Sequence, residues 1–526
     1  MLNAVQEFVL VQGDDAPTPD ARALQLALPP LADPRFRLVS GAPSQRLRRT
    51  WLDTFDWRLF RAGLTLELSA DRRAAELVLT GRDGELVAVE PVTEPFRWPC
   101  LIEELPAGPL SAHLAPVAGI RALLPVARAT SVVTQRRALN GDEKTIAVVT
   151  IDQMTLTQPR RAATPPTVAV SPLRGYQAQA SKLSDLLALV PGVAPAVHSA
   201  FESALQAAGR KPGDYSSKVN VQLAGDMPAA LAVTTILIRL LDTMQANVPG
   251  TIRDIDTEFL HDLRIAVRRT RSVLKMAGSV LPASMAARYR PEFKWLGDLT
   301  TPTRDLDVYL LGYAQMAAGL VAGTEPELRP FHEYLKIRRA SAQRQLARGL
   351  RSARFTQLSS RWRHDLDQVA ASPGRRPATG KFAAGGIARA HQRVLRSGTA
   401  ISAASPPEAL HELRKLCKEL RYLLEVFASL HDAAEQWRAV NELKALQDCL
   451  GEYQDTEIQQ AELRAFATQM MADRSAPAET VLAMGEIAGA LALRQRAARS
   501  EFAGRFAGFA SPRGVARIGA LTEGAS

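Results

Sequence analysis

The second half of the sequence repeats itself at a fixed distance. Residues 259–278 align with residues 409–428 without a gap, and the same offset of 150 carries residues 296–308 onto residues 446–458. A register that is held over about 50 residues in both copies is typical of a duplicated structural unit. Over this part, the chain is therefore expected to fold into two related halves.

The repeated segment carries its polar residues at helical spacing. They occur at positions i, i+3, i+7 and i+10, which an α-helix places on one face, with neighbouring side chains about 5–6 Å apart. The first copy contributes His261, Arg264, Arg268 and Arg271, and the second contributes His411, Arg414, Lys418 and Arg421. Like charges at this spacing destabilise a helix. A multivalent anion is the best explanation for two matching cationic stripes.

A third basic row lies outside the duplicated helices. Arg344, Arg348 and Arg351 stand at i, i+4 and i+7 within the basic run Lys336–Arg354, and we predict that they also contact the anion. The alternative interpretation of all three rows is a solvated charged surface, and that of the two histidines is a hydrogen-bonded packing role. Carboxylates can pair with arginines and orient them, which favours a structural role for Asp298, Asp305, Asp448 and Asp455.

Composition divides the chain into a β-rich part and a helical part. Short β-branched runs such as Thr145–Ile151 occur in the first 200 residues, and Asn140–Asp142 predicts a hairpin turn. Gly209–Tyr215 is a predicted linker. From Pro228 onward, Ala-, Leu- and Arg-rich stretches with Pro and Gly breaks predict about ten helices and no strand. We predict an α+β, multidomain protein with domains at 1–212 and 220–510 and a frayed tail at 511–526.

The positive charge is concentrated in the helical part. The formal net charge is +11; residues 1–212 hold 23 basic and 21 acidic residues, and the remainder holds 42 and 33. An acidic partner is therefore expected to meet the second domain.

The cysteines and the apolar segments indicate the compartment. Cys100, Cys417 and Cys449 are widely spaced, which argues against a disulfide framework or a thiolate metal site and fits a reducing compartment. The N-terminus lacks a basic, cleavable leader, and the apolar run Ala229–Leu241 is interrupted by Arg239 and too short to span a bilayer. We expect a cytoplasmic protein that does not enter a membrane.

The duplicated motif His-x-x-Arg-x-x-x-(Arg/Lys)-x-x-Arg, followed after its first copy by Arg304-Asp305-Leu306-Asp307, resembles the CHAD family (conserved histidine α-helical domain). The resemblance covers about residues 220–510. It implies two pseudo-symmetric four-helix bundles whose basic surfaces face a shared groove or pore that binds polyphosphate. Carried over by position, the implied anion contacts are His261, Arg264, Arg268, Arg269, Arg271, His411, Arg414, Lys415, Lys418 and Arg421. Glu419 stands where the first copy has Arg269, so the halves are not expected to contribute equally.

The first domain resembles a CYTH domain, the triphosphate-tunnel fold, over residues 51–66 (WLDTFDWRLFRAGLTL). Active members open with Glu-x-Glu-x-Lys, but here Val9 and Val11 follow Glu7, and Glu67 and Ser69 replace arginines. The late acidic strand, 167–171, has no carboxylate. A tunnel enzyme needs carboxylates for a divalent ion and cations for triphosphate. The resemblance therefore predicts a catalytically dead scaffold.

These observations favour a non-catalytic protein that binds inorganic polyphosphate, in association with polyphosphate granules, and that has no catalytic residue, metal or cofactor. The first alternative is an inorganic triphosphatase, which the missing carboxylates disfavour. The second is nucleic-acid binding, although few of the six tryptophans lie near the stripes for base stacking. The third is a metal-dependent phosphohydrolase at His261-Asp262, where the flanking arginines would repel a divalent ion. The oligomeric state stays open.

Overall fold

The computed structural model describes residues 6–10, 36–93, 97–190, 192–373 and 377–523. The chain divides into two units, Met1–Ser216 and Ser217–Ser526. The division falls directly after the linker predicted at 209–215.

The first unit is built on one antiparallel sheet. Its central order is β11-β1-β10-β8-β7-β3-β4-β5-β6, with β2 added to β7 and β9 added to β8. The turn predicted at Asn140–Asp142 joins the two longest strands as a hairpin, closed by a hydrogen bond from the Asn140 amide to the Lys144 carbonyl. The strands are β1 Gln6–Leu10, β2 Arg37–Ser40, β3 Gln45–Thr54, β4 Thr65–Ala70, β5 Ala75–Thr80, β6 Leu86–Pro91, β7 Leu123–Leu139, β8 Thr145–Gln158, β9 Ala162–Ala163, β10 Thr167–Pro172 and β11 Val193–Pro195.

Helices cover both faces of this sheet. Since side chains alternate along a strand, Val149 and Ile151 of β8 face one side, and Met154 and Leu156 face the other. The first pair packs under helix α3, and the second packs under helix α4. The helices of this unit are α1 Arg58–Arg61, α2 Pro109–Ala118, α3 Gln177–Ala188 and α4 Ala200–Ala208. The predicted β-rich first domain is confirmed.

The second unit consists of ten α-helices within its described residues, which confirms the predicted helical domain. The helices at the two stripes begin and end 150 residues apart, and the long helices that follow them begin 150 residues apart. The first repeat contains α5 Ala229–Arg253, α6 Thr257–Met276, α7 Ala283–Ala318, α8 Glu325–Leu350 and α9 Ala353–Ala371. The second contains α10 Thr379–Thr399, α11 Pro407–Val426, α12 Ala433–Ala472, α13 Ala478–Phe509 and α14 Pro512–Glu523.

Each repeat thus has five helices, where the family resemblance implied four. The fifth helices α9 and α14 pack against the first helices of their repeats, α5 and α10. The frayed tail predicted at 511–526 is corrected over its described part. Residues 512–523 form α14, because Ile518 and Leu521 are buried in the core and anchor the helix.

A pseudo-two-fold axis relates the two repeats. Where the axis passes between them, equivalent residues contact each other. Pro228 and Ala378, 150 residues apart, form an antiparallel bridge. On its two sides the Ala229 amide donates to the Pro377 carbonyl and the Thr379 amide donates to the Met227 carbonyl, each at 2.9 Å. These two hydrogen bonds are the same contact made once in each direction, as two-fold symmetry requires.

The long helices α7 and α12 take part in two cores. Their N-terminal parts join the main core, which both repeats share and which contains Leu263 and Leu413. Their C-terminal parts form a second core with α8 and α13, around Phe331 and Leu463. Between these cores, α7 and α12 each carry a polar segment, at 300–305 and 454–462.

Helix α5 is the one helix among the described residues that is long and apolar enough to cross a membrane, with a mean hydropathy of 1.3 in its most apolar window. Of that window, 61% is buried. Its apolar residues, including Ile236 and Leu240, belong to the main core.

Tight packing between α5 and α6 gives a stability prediction. A methyl group on Gly250 would overlap the ring of Phe259, which is buried in the interior. We expect Gly250→Ala to destabilise the helical unit by about 1–3 kcal/mol, as overpacked cores do. Denaturant unfolding followed by helical circular dichroism measures this. The matched control is Gly312→Ala in α7, where the added carbon meets nothing within 4 Å and helix propensity alone favours alanine. An unfolding midpoint for Gly250→Ala equal to that of wild type would contradict the packing described.

Candidate anion-binding site

The stripe helices α6 and α11 lie along the polar segments of the long helices. The Arg264 guanidinium donates to the hydroxyls of Thr300 (3.1 Å) and Thr301 (2.8 Å) on α7. The equivalent Arg414 donates to Gln454 (2.8 Å) and Asp455 (2.9 Å) on α12. The two arginines are therefore held by the same neighbouring helix in each repeat, but by different partners.

The two histidines face equivalent positions on the long helices. Burial and then the charge of Arg304 lower the pKa of His261, and burial lowers the pKa of His411. The side-chain amide of Gln454, which is equivalent to Arg304, contacts Nδ1 of His411. Because burial lowers the pKa of both imidazoles from its ordinary value, the positive charge of the site comes chiefly from the neighbouring arginines and lysine.

Arg304 was not among the predicted contacts, although it opens the Arg304–Asp307 segment that the resemblance quotes. Its Nη1 atom is buried and has no hydrogen-bond partner among the residues that the structure describes. The charge of Arg304 lowers the pKa values of both His261 and Arg264, so it lies with the first stripe. The sequence feature that could have revealed Arg304 was the fixed offset of 150, which aligns Arg304 with Gln454.

Charges from both repeats meet at the pseudo-two-fold axis. Burial and then Arg414 and Arg268 lower the pKa of Lys418 to about 8. Arg268 and Lys418 are equivalent residues, and so are Asp305 and Asp455, whose charges also interact. We define the axial cluster as the cations Arg264, Arg268, Arg304, Arg414, Lys418 and Arg421 with the carboxylates Asp305 and Asp455.

The axial cluster holds more positive than negative charge in a partly buried place. Burial and then Arg268 lower the pKa of Arg264 to about 10, and burial raises the pKa of Asp305 against three arginines. A lysine whose pKa falls on folding destabilises the fold while it is charged. For Lys418, this cost is present below about pH 8 and disappears above its unfolded value of 10.5. A bound anion would remove it by neutralising the cluster.

Other predicted contacts lie apart from the axial cluster. Only 13% of the Arg269 side chain is exposed, and its guanidinium pairs with Glu425 at 2.7 Å and donates to the Ser217 carbonyl, so the structure places it in a contact between repeats. Lys415 is exposed and pairs with Glu412. Arg271, Arg344, Arg348 and Arg351 are exposed, and among the described residues no hydrogen bond or ion pair joins them to the cluster. Their roles in binding stay predictions.

The sequence favoured a structural role for four aspartates, in which they pair with arginines and orient them. The structure shows that role for only two of the four. Asp455 pairs with Arg414 and Asp305 lies among three arginines. Asp298 instead pairs with Lys294 on the surface of α7, at 2.8 Å. Asp448 is exposed and lines a surface groove between α12 and α13.

In the first unit, one buried cation is neutralised by carboxylates on the same face of the sheet. Arg49 on β3 pairs with Glu67 at 2.6 Å and with Asp152 at 3.0 Å. Burial lowers the pKa of Arg49, but these carboxylates raise it by more, so its net shift is upward. Val9 stands where the CYTH resemblance predicts the second carboxylate of the Glu-x-Glu-x-Lys motif. Its partner on the neighbouring strand is Thr167, whose partner on the next strand is Asp152. Val11 lies outside the described residues.

Across the described ranges of both units, no group of three or more His, Cys, Asp or Glu side chains is placed to hold a metal ion.

The sequence had pointed to Glu67 but not to Arg49 or Asp152. Strand register brings these three residues together. The available sequence signal was a carboxylate on β4 and another on β8, neither of which has a cation nearby in sequence.

Comparison with known proteins assigns the helical unit. Residues 235–464 match the model of the CHAD domain family. Among solved structures, the CHAD domain from the plant Ricinus communis is 22% identical, covers 59% of this chain and 96% of its own, and has a TM-score of 0.44. PptA from Streptomyces chartreusis is 18% identical, with 53% and 99% covered and a TM-score of 0.42. No curated protein matches the sequence.

The first unit has one further likeness. A candidate adenylate cyclase from Bacillus halodurans is 10% identical, covers 38% of this chain and 93% of its own, and has a TM-score of 0.26. With TM-scores below 0.5, the solved structures add nothing to the assignment, which rests on the family model and the duplicated motif. The protein is a two-part chain whose helical unit is built on an internal duplication. Its residues 235–464 are a CHAD domain, as the motif predicted.

The pKa of Lys418 predicts how anion affinity depends on pH. Between about pH 8 and 10, polyphosphate groups stay ionised while Lys418 loses its proton, so affinity should fall as pH rises. Titrations of the wild type at several pH values measure the decline. Lys418→Arg keeps the charge over the whole range, because arginine stays protonated, and should flatten the profile. An equally steep decline in Lys418→Arg would assign the effect to other groups.

Proposed function

We propose that this protein binds inorganic polyphosphate at the axial cluster and does so without catalysing its hydrolysis. The observation that carries the proposal is the convergence of six cations from two repeats, which outnumber the carboxylates beside them, Asp305, Asp307, Glu425 and Asp455. Two like-charged stripes that face one axis repel each other, and a multivalent anion lying between them would relieve that repulsion. The ligand is the one that the CHAD resemblance implies.

The chemistry of the cluster favours a flexible phosphate polymer. Arginine and lysine contact phosphate oxygens through charge-assisted hydrogen bonds, and the axial cluster supplies both kinds of side chain. A chain with a negative charge on every phosphate can meet cations from both repeats at once. The energetic gain then includes the release of counterions, as in other polyanion complexes.

Nucleic acid is the second candidate, supported by the same charge. Binding of single strands usually adds stacking of bases on aromatic rings. Tyr422, whose ring centre lies 5.6 Å from the Arg421 guanidinium carbon, is buried and therefore offers no face to a base. Polyphosphate requires no such face, which favours it over a nucleic acid.

The first unit is proposed to be a non-catalytic scaffold. A triphosphatase would need free cations for its substrate, and Arg49 is paired with Glu67 and Asp152. We further propose that the protein is cytoplasmic and associates with polyphosphate granules, in keeping with the ligand and with the three free cysteines.

The first test removes one cation from each repeat at the axis. Arg268→Ala with Lys418→Ala should weaken polyphosphate binding at every salt concentration and make the log–log salt dependence shallower, because fewer counterions are released. Helical circular dichroism should stay unchanged. Arg329→Ala with Lys336→Ala removes the same charge from exposed positions on α8 and is the matched control.

Competition by duplex DNA and by RNA, at matched phosphate concentration, separates the two candidate ligands. Polyphosphate should compete best. If both double variants behave alike, or if DNA competes as well as polyphosphate, the proposed site or the proposed ligand is wrong.

The second test concerns catalysis. With Mg²⁺ or Mn²⁺, the full chain should release no phosphate from triphosphate or polyphosphate beyond a heat-inactivated control, since Val9, Glu67 and Ser69 replace the carboxylate and arginines of active CYTH members. A colorimetric phosphate assay measures this. Turnover that Glu67→Ala abolishes would overturn the non-catalytic assignment.

A further inference from the structure

Two ion pairs join α6 to α11 directly beyond the axial cluster. Arg269 pairs with Glu425, and Lys275 pairs with Glu419, both at 2.7 Å. Three of the four side chains are largely buried, with 13% of Arg269, 24% of Glu425 and 11% of Glu419 exposed. We call these four residues the seam. Removing one partner of a pair at a half-buried place leaves an uncompensated charge there, which is strongly destabilising.

The two pairs are one contact seen twice. Residue 269 is equivalent to 419, and residue 275 is equivalent to 425, at the offset of 150. Rotation about the pseudo-two-fold axis therefore carries the Arg269–Glu425 pair onto the Glu419–Lys275 pair. The rotation preserves the geometry of the contact but exchanges its basic and acidic partners. Both basic residues lie on the first repeat, and both acidic residues lie on the second.

This reversal has a consequence for which surfaces fit together. If a first repeat packed against another first repeat in the same way, each Arg269 would face a Lys275. If two second repeats packed together, each Glu419 would face a Glu425. Both arrangements place like charges in a half-buried contact, which is strongly unfavourable, although Arg393 and Arg421 would moderate the second.

The seam also lies where the stripes repel each other. Arg268 and Lys418, whose charges interact across the axis, immediately precede the seam positions 269 and 419. Opposite charges at the seam therefore hold together two helices whose next residues push apart. The main core supplies attraction between the repeats, but apolar burial has no direction and does not distinguish one repeat from the other.

We propose that the seam is a pairing code, in which the basic face of the first repeat fits only the acidic face of the second, and that this pairing assembles the axial cluster. The pairing stands on the geometry of the seam alone. Its consequence for anion binding rests on the proposed function. Arg269 and Lys275 are positioning residues in this scheme, because they act on the ligand through the helices they align.

Charge reversal in the full-length chain tests the code. Arg269→Glu with Lys275→Glu gives a seam of four glutamates, and adding Glu419→Arg with Glu425→Lys restores opposite charges in the reverse order and the wild-type net charge. The double variant should unfold at lower denaturant concentration than wild type and bind polyphosphate at least about tenfold more weakly. Because the new cations at positions 419 and 425 lie beside Arg393 and Arg421, the quadruple variant should recover part of both losses, not all of them.

Arg329→Glu with Lys336→Glu, on the exposed part of α8, changes net charge equally and should leave the unfolding midpoint near that of wild type. The neutral variant Arg269→Gln with Lys275→Gln gives a milder loss if the double variant does not fold. A quadruple variant that unfolds as easily as the double would overturn the pairing code. Failure of the wild type to bind polyphosphate would overturn the proposed function, while the unfolding measurements would still decide the pairing.

Discussion

Mutual repulsion between two cationic helices is the constraint on which the helical unit depends. Arg268 and Lys418 lie close enough across the pseudo-two-fold axis for one to lower the pKa of the other, and Arg264 and Arg414 flank them. Three features oppose the repulsion: the shared apolar core around Leu263 and Leu413, the seam, and the carboxylates of Asp305 and Asp455. These features compensate only part of the charge. An anion at the axis would neutralise the remainder.

Much of the helical unit was predictable because a duplication constrains local structure and partner together. The offset of 150 predicted equivalent helices at 259–278 and 409–428, since a helix carries its polar stripe at fixed spacing, and α6 and α11 each begin two residues before those segments. The role of Arg269 was not predictable, because it depends on a residue of the other repeat. Glu419 looked like a loss from the anion site and is instead the partner of Lys275. Helix α14 was missed because its small, glycine-containing sequence is helical only when Ile518 and Leu521 are buried.

The first unit shows the limit of the same approach for a sheet. Strands such as β8 and the hairpin turn at Asn140 follow from local sequence. The neighbours of Arg49 are instead set by strand register, over separations of 18 and 103 residues. The CYTH resemblance predicts arginines after Leu66, where this chain has Glu67 and Ser69. Because Glu67, together with Asp152, pairs with Arg49, the change at position 67 has a structural role. On this face Arg49 is outnumbered by its two carboxylate partners, whereas cations outnumber carboxylates in the axial cluster.

The difference between Arg304 and Gln454 gives the helical unit a polarity. Both residues face a histidine from the same position on a long helix, yet one carries a charge and the other does not. A perfectly two-fold site would present the same field to a linear chain from either side. Here a guanidinium stands beside one histidine and a neutral carboxamide beside the other, so the local field differs between the two repeats. If an anion lies across the axis, its two ends meet different neighbours, so the two halves of the duplication are not interchangeable at this position.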